Sequence, residues 1–159
     1  MDTNSQQTLN VLLEHAQTER DAALRDLQDA TALADQAKTQ ATQLELYRGD
    51  YRQRWNSQFA RQGTMDIVMC YQSFGARLDQ AISHQSQVAQ HADSRVAIAR
   101  ELLMQRELRV LSVRKLIERR SQELQRSLNK QDQKSTDEQA SRAGWGAGHT
   151  LTRAMAHHS

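Results

Sequence analysis

The sequence contains no proline, six glycines and one cysteine in 159 residues. Because proline breaks the interior of a helix, its absence leaves long helices uninterrupted. Cys70 has no second cysteine with which to form an internal disulfide, which fits a reducing cytoplasm. No stretch approaches the ~18 apolar residues of a membrane span, and residues 1–7 are too polar for a signal peptide. We therefore expect a cytoplasmic protein without a transmembrane segment.

Apolar residues are also scarce. Hydrophobic residues make up 38% of the chain and aromatic residues 4%, whereas a globular domain usually has about 45–50% apolar residues. The chain has too few for a round core but enough for a narrow seam between helices. Its net charge is only +2, with both signs interspersed. Nucleic-acid binders usually concentrate basic residues on one face, so we do not expect a nucleic acid as partner.

A seam of apolar residues at alternating steps of four and three runs through the first third of the chain. This spacing is the heptad signature of a coiled coil. Because alanine is frequent in the seam, the element that packs against it must come close to the backbone of this helix. The seam consists of Leu9, Leu13, Ala16, Arg20, Ala23, Leu27, Ala30, Ala34, Ala37, Ala41, Leu44, Arg48, Tyr51 and Trp55.

A second seam with the same alternation follows the one strong break in the helical pattern. At this break Gly63 can adopt a positive φ and end the first helix, and Thr64 can cap the second. The second seam consists of Val68, Tyr71, Gly75, Leu78, Ile82, Gln85, Ala89, Ala92, Val96, Ala99, Leu103, Arg106, Val110, Val113, Ile117, Arg120 and Leu124.

Two long helices joined by a short break favour antiparallel neighbours. The predicted fold is all-α, a long two-helix antiparallel coiled-coil hairpin over residues 5–135, with arms at about 6–61 and 65–134 and a turn near 62–64. Such a turn pairs residues whose numbers sum to about 126, and a slip by one heptad is the alternative. The pattern stops near Ser135 and glycine becomes frequent, so residues 136–159 are predicted to form a flexible tail.

This register places Arg20 and Arg106 in one layer of the seam. Burial of both cations without partners would be very costly. Their long side chains are therefore expected to reach outward, to Glu19 or Glu107. Such a layer either fixes the register or forms a weak point that binds a partner.

No arrangement of residues that is typical of catalysis occurs. The sequence lacks a glycine-rich phosphate loop, a cysteine pair and a His-Glu-x-x-His motif. His84 and His91 lie seven residues apart, too far to share one metal ion on a helix, and Cys70 is expected to be a small side chain flanking the seam. We predict no catalytic residue, cofactor or metal, and we expect that the chain is not an enzyme.

Six of the seven aromatic residues flank the predicted turn. A two-helix seam cannot bury six large rings, so exposed rings could form an interface there. The alternative is a small cap packed over the turn. These residues are Tyr47, Tyr51, Trp55, Phe59, Tyr71 and Phe74.

Residues 106–126 contain seven lysines or arginines, interspersed with Glu107, Glu118 and Glu123. This run is either a solvated face or a contact for an acidic partner. It belongs to the end of the predicted hairpin that carries the chain termini.

Several motifs taken together resemble the FliJ family, the coiled-coil proteins of the bacterial flagellar type III export apparatus. The resemblance covers roughly residues 5–135, in the order and spacing of its motifs and in the length of the hairpin. The motifs are a leucine-rich start, Arg20-Asp21-Ala22-Ala23, Leu44-x-x-Tyr47-Arg48-x-x-Tyr51, and Phe74-x-x-x-Leu78-x-x-Ala81-Ile82-x-x-Gln85.

The resemblance implies paired helices similar to those of the rotary γ subunit of ATP synthase, and a role as a stalk that couples ATP hydrolysis to export. The implied partners are the hexameric flagellar export ATPase, the cytoplasmic domain of the export gate protein FlhA, and export chaperones. The implied location is the cytoplasmic side of the inner membrane at the flagellar base, reached through these partners. A non-flagellar structural tether and a virulence-type secretion stalk are the alternatives.

The resemblance also implies two binding regions. The expected gate-binding patch consists of Gln40, Leu44, Tyr47, Tyr51, Phe74, Leu78, Ala81 and Gln85. The expected ATPase-binding residues, at the end with the chain termini, are Leu9, Leu13, Arg20, Arg106, Arg114, Arg119 and Arg120.

Overall fold

The computed structural model describes the backbone of residues 2–59 and 63–156 and the side chains of residues 3–57 and 63–146. Helix α1 spans Asp2–Arg54 and is followed by one π-helical turn, Trp55–Phe59. Helix α2 spans Met65–Ala156. Within the described backbone all regular structure is helical, and the two long helices pack against each other. The predicted all-α fold is confirmed.

The chain divides into two units, each of which brings parts of α1 and α2 together. The larger unit is Leu12–Leu111, which holds most of α1, the turn region and the first half of α2. The smaller unit consists of Met1–Val11 and Ser112–Ser159. Within the smaller unit, Arg120 Nη1 donates a hydrogen bond to the hydroxyl of Ser5.

Burial follows the two predicted seams residue by residue. Every predicted position on α1 and in the turn after it is buried or half-buried. From residue 65 to residue 146, every side chain that is not exposed belongs to the second seam, and Arg120 alone among that seam's members is exposed. The alternation of three and four thus identifies the packed face of both helices.

Alanines form the most deeply buried part of the seam on α1. Ala16 is 1% exposed, and Ala23 and Ala34 are each 3% exposed. Side chains this small keep little bulk between the two helices, so tight packing requires the backbones to come close.

Polar contacts between the arms confirm the register. Arg48 Nε donates to Asp79 Oδ1 at 2.9 Å, and Gln85 Nε2 donates to Gln40 Oε1 at 3.2 Å. In each pair the sum of the two residue numbers differs by one from the predicted sum of about 126. A slip by one heptad would move each partner by seven residues and break both contacts.

The turn differs in part from its prediction. Helix α2 begins at Met65, as predicted, and the N–H of Val68 donates to the carbonyl of Thr64 at 3.1 Å, which places Thr64 at the N-cap. Helix α1 ends in the π-helical turn, which the spacing did not predict. Residues 60–62 lie outside the described part, and the backbone φ of Gly63, which depends on residue 62, lies outside it as well.

The second arm does not end near residue 134, because α2 continues to Ala156. Glycine in a helix costs about 1 kcal/mol relative to alanine, which weakens the helix without forbidding it, and no proline stops it. Packing does end as predicted, since every described side chain from 125 to 146 is exposed. The flexibility of residues 136–159 stays a prediction, and residues 157–159 lie outside the described part.

The two arginines of this layer pair with two different carboxylates. Arg106 Nη1 lies 2.8 Å from Glu19 Oε2, and Arg109 Nη1 lies 3.4 Å from the same oxygen. Arg20 pairs with its neighbour Asp21, with Nη2 of Arg20 3.0 Å from Oδ1 of Asp21. The expected reach to Glu19 is therefore confirmed for Arg106, whereas Arg20 uses a different acid. Both arginines are half-buried and paired with a carboxylate. Binding of a partner at this layer stays a prediction.

Replacement of Ala34 by leucine tests the close approach of the helices. The larger side chain has no room in the seam, so we expect the free energy of unfolding to fall by about 1–3 kcal/mol. Urea denaturation followed by circular dichroism measures this change. The matched control is Ala32→Leu, at an exposed position of the same helix, which should leave stability nearly unchanged. Equal effects of the two substitutions would contradict close packing at Ala34.

Candidate functional site

Five aromatic side chains beside the turn form one continuous chain of ring contacts across the two arms. The rings of Trp55 and Tyr71 stack with centroids 4.2 Å apart, and the rings of Tyr51 and Tyr71 stack with centroids 5.2 Å apart. Tyr51 also meets Phe74 at 4.8 Å, and Phe74 meets Tyr47 edge-on at 6.4 Å. We call Tyr47, Tyr51, Trp55, Tyr71 and Phe74 the aromatic cluster.

The cluster has an inner and an outer part. Tyr51, Trp55 and Tyr71 occupy seam positions and are half-buried, whereas Tyr47 is 50% exposed and Phe74 is 37% exposed. Each outer residue precedes a seam position by one residue, which places its ring at the edge of the helix pair. The inner rings therefore cap the seam, and the outer rings are accessible. That the accessible rings form an interface stays a prediction. The side chain of the sixth ring, Phe59, lies outside the described part.

An ion pair between the arms lies next to the cluster. Arg48 occupies a seam position and donates to Asp79 through Nε at 2.9 Å and through Nη2 at 3.4 Å. Gly75 makes room for it, because a Cβ at that position would lie 3.0 Å from Arg48 Nη2. Arg48 Nη1 is buried without a hydrogen-bond partner in the described part. The sequence signal for this pair is an arginine facing a glycine across the seam.

The same ion pair shifts the ionisation of both groups. The hydrogen bond that Arg48 donates to the Asp79 carboxylate raises the pKa of Arg48 above its ordinary value. The hydrogen bond from Arg48 lowers the pKa of Asp79 below its ordinary value of 3.8. The pair is therefore charged at neutral pH and holds the two arms in register beside the aromatic cluster.

The eight residues of the expected gate-binding patch all lie in the larger unit, with different exposures. Gln40, Tyr47, Phe74 and Ala81 are exposed. Leu78 is only 7% exposed and belongs to the core of the seam. The half-buried members are Leu44, Tyr51 and Gln85.

Contacts join most of this patch across the arms. Tyr47 and Tyr51 both touch Phe74. Gln85 Nε2 donates to Gln40 and also to the carbonyl of Ala37, at 3.1 Å. The exposed members can meet another protein, and the buried ones hold them in place. Binding of the gate protein by this patch stays a prediction.

The expected ATPase-binding residues are divided between the two units. In the larger unit Leu13 is half-buried, and Arg20 and Arg106 are engaged in ion pairs. In the smaller unit Leu9 is 8% exposed, while the remaining members are exposed on α2: Arg114, Arg119 and Arg120. Their role in binding also stays a prediction.

In the described part of the chain, no three histidine, cysteine, aspartate or glutamate side chains are grouped so that they could hold a metal ion. None of its helices combines the length and the apolar character that crossing a membrane requires.

The fold and the site define a coiled-coil protein of two antiparallel helices with an exposed aromatic surface. A family model described as flagellar FliJ protein matches residues 5–149. The chain belongs to this family. No curated protein and no solved structure matches the chain. It is thus a coiled-coil protein associated with flagellar protein export, in a family of structural export components rather than enzymes.

The substitution Asp79→Asn tests the ion pair through its dependence on pH. The pKa of Asp79 is lowered in the folded chain. The stabilising effect of the ion pair is therefore fully present above pH 3.8 and is lost as the pH falls through the lowered pKa. We expect the variant to be less stable than the wild type at pH 7, with the difference shrinking as the pH falls below about 4. Denaturant unfolding at a series of pH values measures this. A difference that stays constant down to pH 2 would contradict the account.

Proposed function

We propose that the chain is a stalk of the flagellar export apparatus that binds the export gate protein FlhA through the aromatic surface beside its turn. The observation that carries this proposal is the pair Tyr47 and Phe74. These rings come from different arms, touch each other, and are 50% and 37% exposed in a chain of the FliJ family.

The surroundings of this pair favour binding. Aromatic anchors carry much of the energy of protein interfaces when they are held in place before binding. Phe74 is held by the half-buried ring of Tyr51, and the Arg48–Asp79 ion pair fixes the register of the two arms nearby. Few side-chain conformations therefore have to be lost when a partner covers Tyr47 and Phe74.

The second part of the proposal concerns the export ATPase. Exposed arginines are suited to carboxylate groups on a partner, because the guanidinium presents several donors in a fixed plane. Arg114 and Arg119 are exposed in the smaller unit, whereas Arg106 is already engaged by Glu19. We therefore assign direct contact with the ATPase hexamer to Arg114 and Arg119, and a supporting role to the paired arginines.

A chain that holds both the ATPase and the gate would couple ATP hydrolysis to export or promote assembly of the ATPase ring. In the same role it would escort export chaperones to the gate. These contacts would place it at the flagellar base, on the cytoplasmic side of the inner membrane.

The double substitution Tyr47→Ala and Phe74→Ala tests the gate-binding surface. Loss of two aromatic anchors should weaken binding to the cytoplasmic domain of FlhA by about tenfold or more and should stop secretion of flagellar proteins. Helical content should be retained, because both rings lie at the edge of the seam. Titration calorimetry, a secretion assay and circular dichroism measure these outcomes.

The matched control is Leu46→Ala, which removes a side chain that is 66% exposed next to Tyr47. It should bind and secrete as the wild type does. Unchanged gate binding in the double variant, or an equal loss in the control, would overturn the proposal.

A further inference from the structure

One side of the helix pair in the larger unit carries a face built from residues seven apart. On α1 this face takes every seventh residue of 12–54, and on α2 it takes every seventh residue of 67–109. Residues seven apart lie on one side of a coiled-coil helix. The two rows share a side of the helix pair, because Tyr47 of the first row touches Phe74 of the second. We call this surface the paired face.

Most side chains of the paired face are apolar, and the large ones are exposed. Leu33 and Val88 are 56% and 39% exposed, and both line an open groove of about 320 Å³. The matching positions on the opposite side of the seam, in 17–52 and 72–107, include one large apolar residue, Leu24. Apolar surface is therefore concentrated on one side. Besides the rings and these two residues, the exposed apolar members of the paired face are Leu12, Ile67 and Leu102.

The two rows of the paired face are complementary at several levels. Counted in steps of seven from the touching rings, Leu33 comes opposite Val88, and Asp26 comes opposite Arg95. The first of these levels is apolar in both rows, and the second joins a carboxylate to a guanidinium. Asp26 and Arg95 are exposed, and neither has an ion-pair partner in the described part of the chain. Asp29, at the outer edge of the same side, adds to the negative charge of α1.

A second copy of the chain matches this pattern. With a two-fold axis parallel to the helices, the α1 row of each copy lies over the α2 row of the other copy at the same level. Apolar levels then meet apolar levels, and Asp26 of each copy meets Arg95 of the other in two symmetric ion pairs. At the levels of Glu19, Arg54 and Arg109 the charged side chain faces an apolar one, which its methylene groups can cover.

Helices of one dominant charge match the paired face less well. An acidic helix would be repelled by the α1 row, which carries Glu19 and Asp26, and a basic helix by the α2 row, which carries Arg95 and Arg109. A second copy offers a base to the first row and an acid to the second at the same time. The charges of the face therefore favour a second copy.

The size of the paired face also suits a stable dimer. Residues 12–54 extend for about 63 Å at about 1.5 Å per residue, and two helices side by side are about 20 Å wide. The face thus offers roughly 1,200 Å² per copy, whereas an interface of standard size buries about 800 Å² per partner.

We propose that two copies of the chain associate in parallel through the paired face, related by a two-fold axis along the helices, as a four-helix bundle. Association covers the rings of Tyr47 and Phe74, so the gate protein and a second copy compete for them. This competition rests on the proposed function, whereas the association itself does not.

Charge reversal at the Asp26–Arg95 level tests the dimer. We expect the wild type to sediment as a dimer in analytical ultracentrifugation. Asp26→Arg and Arg95→Asp each bring like charges together in a symmetric pair, so each variant should self-associate at least about tenfold more weakly. An equimolar mixture of the two should form the dimer again, because one variant carries only bases at this level and the other only acids.

The matched control is Arg100→Asp, at an exposed position of α2 on the opposite side of the seam. It changes the net charge by the same amount as Arg95→Asp and should sediment as the wild type does. Circular dichroism checks that each variant keeps its helical content.

Cross-linking of the mixed dimer tests its parallel arrangement. In a Cys70→Ser background, Leu33→Cys is added to the Asp26→Arg chain and Val88→Cys to the Arg95→Asp chain. These thiols meet at one level, so a disulfide between the two chains is expected. Leu12→Cys in place of Leu33→Cys lies three heptads away, about 30 Å along the helix, and should not cross-link.

Any of four results would overturn the proposal. These are a monomeric wild type, an equal loss of the dimer in Arg100→Asp and Arg95→Asp, a mixture of the two charge variants that stays monomeric, and cross-linking from Leu12→Cys equal to that from Leu33→Cys. None of these measurements contains the gate protein, so the gate-binding proposal is tested separately.

The competition is measured with the cytoplasmic domain of FlhA. At a concentration where the wild type is a dimer, the monomeric Arg95→Asp chain should bind this domain more tightly. Equal binding of the two chains would contradict the covering of the rings by a second copy. Absence of binding in both would contradict the proposed function and leave the dimer standing.

Discussion

Small side chains in the seam set how near α1 and α2 come to each other, and the accessible surfaces depend on that distance. Where alanines such as Ala34 fill the seam, the helices close and flanking residues such as Leu33 remain uncovered. Beside the turn, Tyr51 and Tyr71 occupy the seam instead, and their stacked rings fill it. Because Tyr47 precedes a seam position by one residue, its ring lies at the edge of the helix pair, half exposed.

Polar groups placed within the apolar seam fix one register. Arg48 reaches Asp79, and Arg106 reaches Glu19, each across the two arms. A half-buried cation loses much of its hydration, so a slipped register that separates it from its carboxylate is penalised. An alanine seam alone offers similar packing at several registers, whereas these ion pairs are satisfied in one. The aromatic cluster depends on that choice, because its rings come from both arms.

The sequence predicted the packed face of each helix, since burial between two helices depends mainly on the spacing of apolar residues. It predicted the start of α2 because Thr64 is a recognisable N-cap. It missed the π-helical turn at Trp55–Phe59 and the continuation of α2 to Ala156. At both places the residues differ in helix propensity by about 1 kcal/mol each, which is too little to define where a helix ends.

The candidate sites were predictable to a lesser degree. The cluster of aromatic residues pointed to an interface, and the seam spacing already separates the outer rings of Tyr47 and Phe74 from the inner ones. The stacking of Tyr51 on Tyr71 could not be predicted, because spacing does not specify how rings stack. The pairing of Arg48 with Asp79 depends on the room left by Gly75.

Disulfide formation between paired cysteines is the most direct test of this register. In a Cys70→Ser background, Ala37→Cys with Ala89→Cys places two thiols in one layer of the seam, and we expect rapid and nearly complete cross-linking within one molecule. Ala37→Cys with Val96→Cys corresponds to a slip by one heptad, about 10 Å along the helix, and should not cross-link, because a disulfide needs Cα atoms within about 7 Å. Cross-linking of the slipped pair in preference to the first would contradict the account.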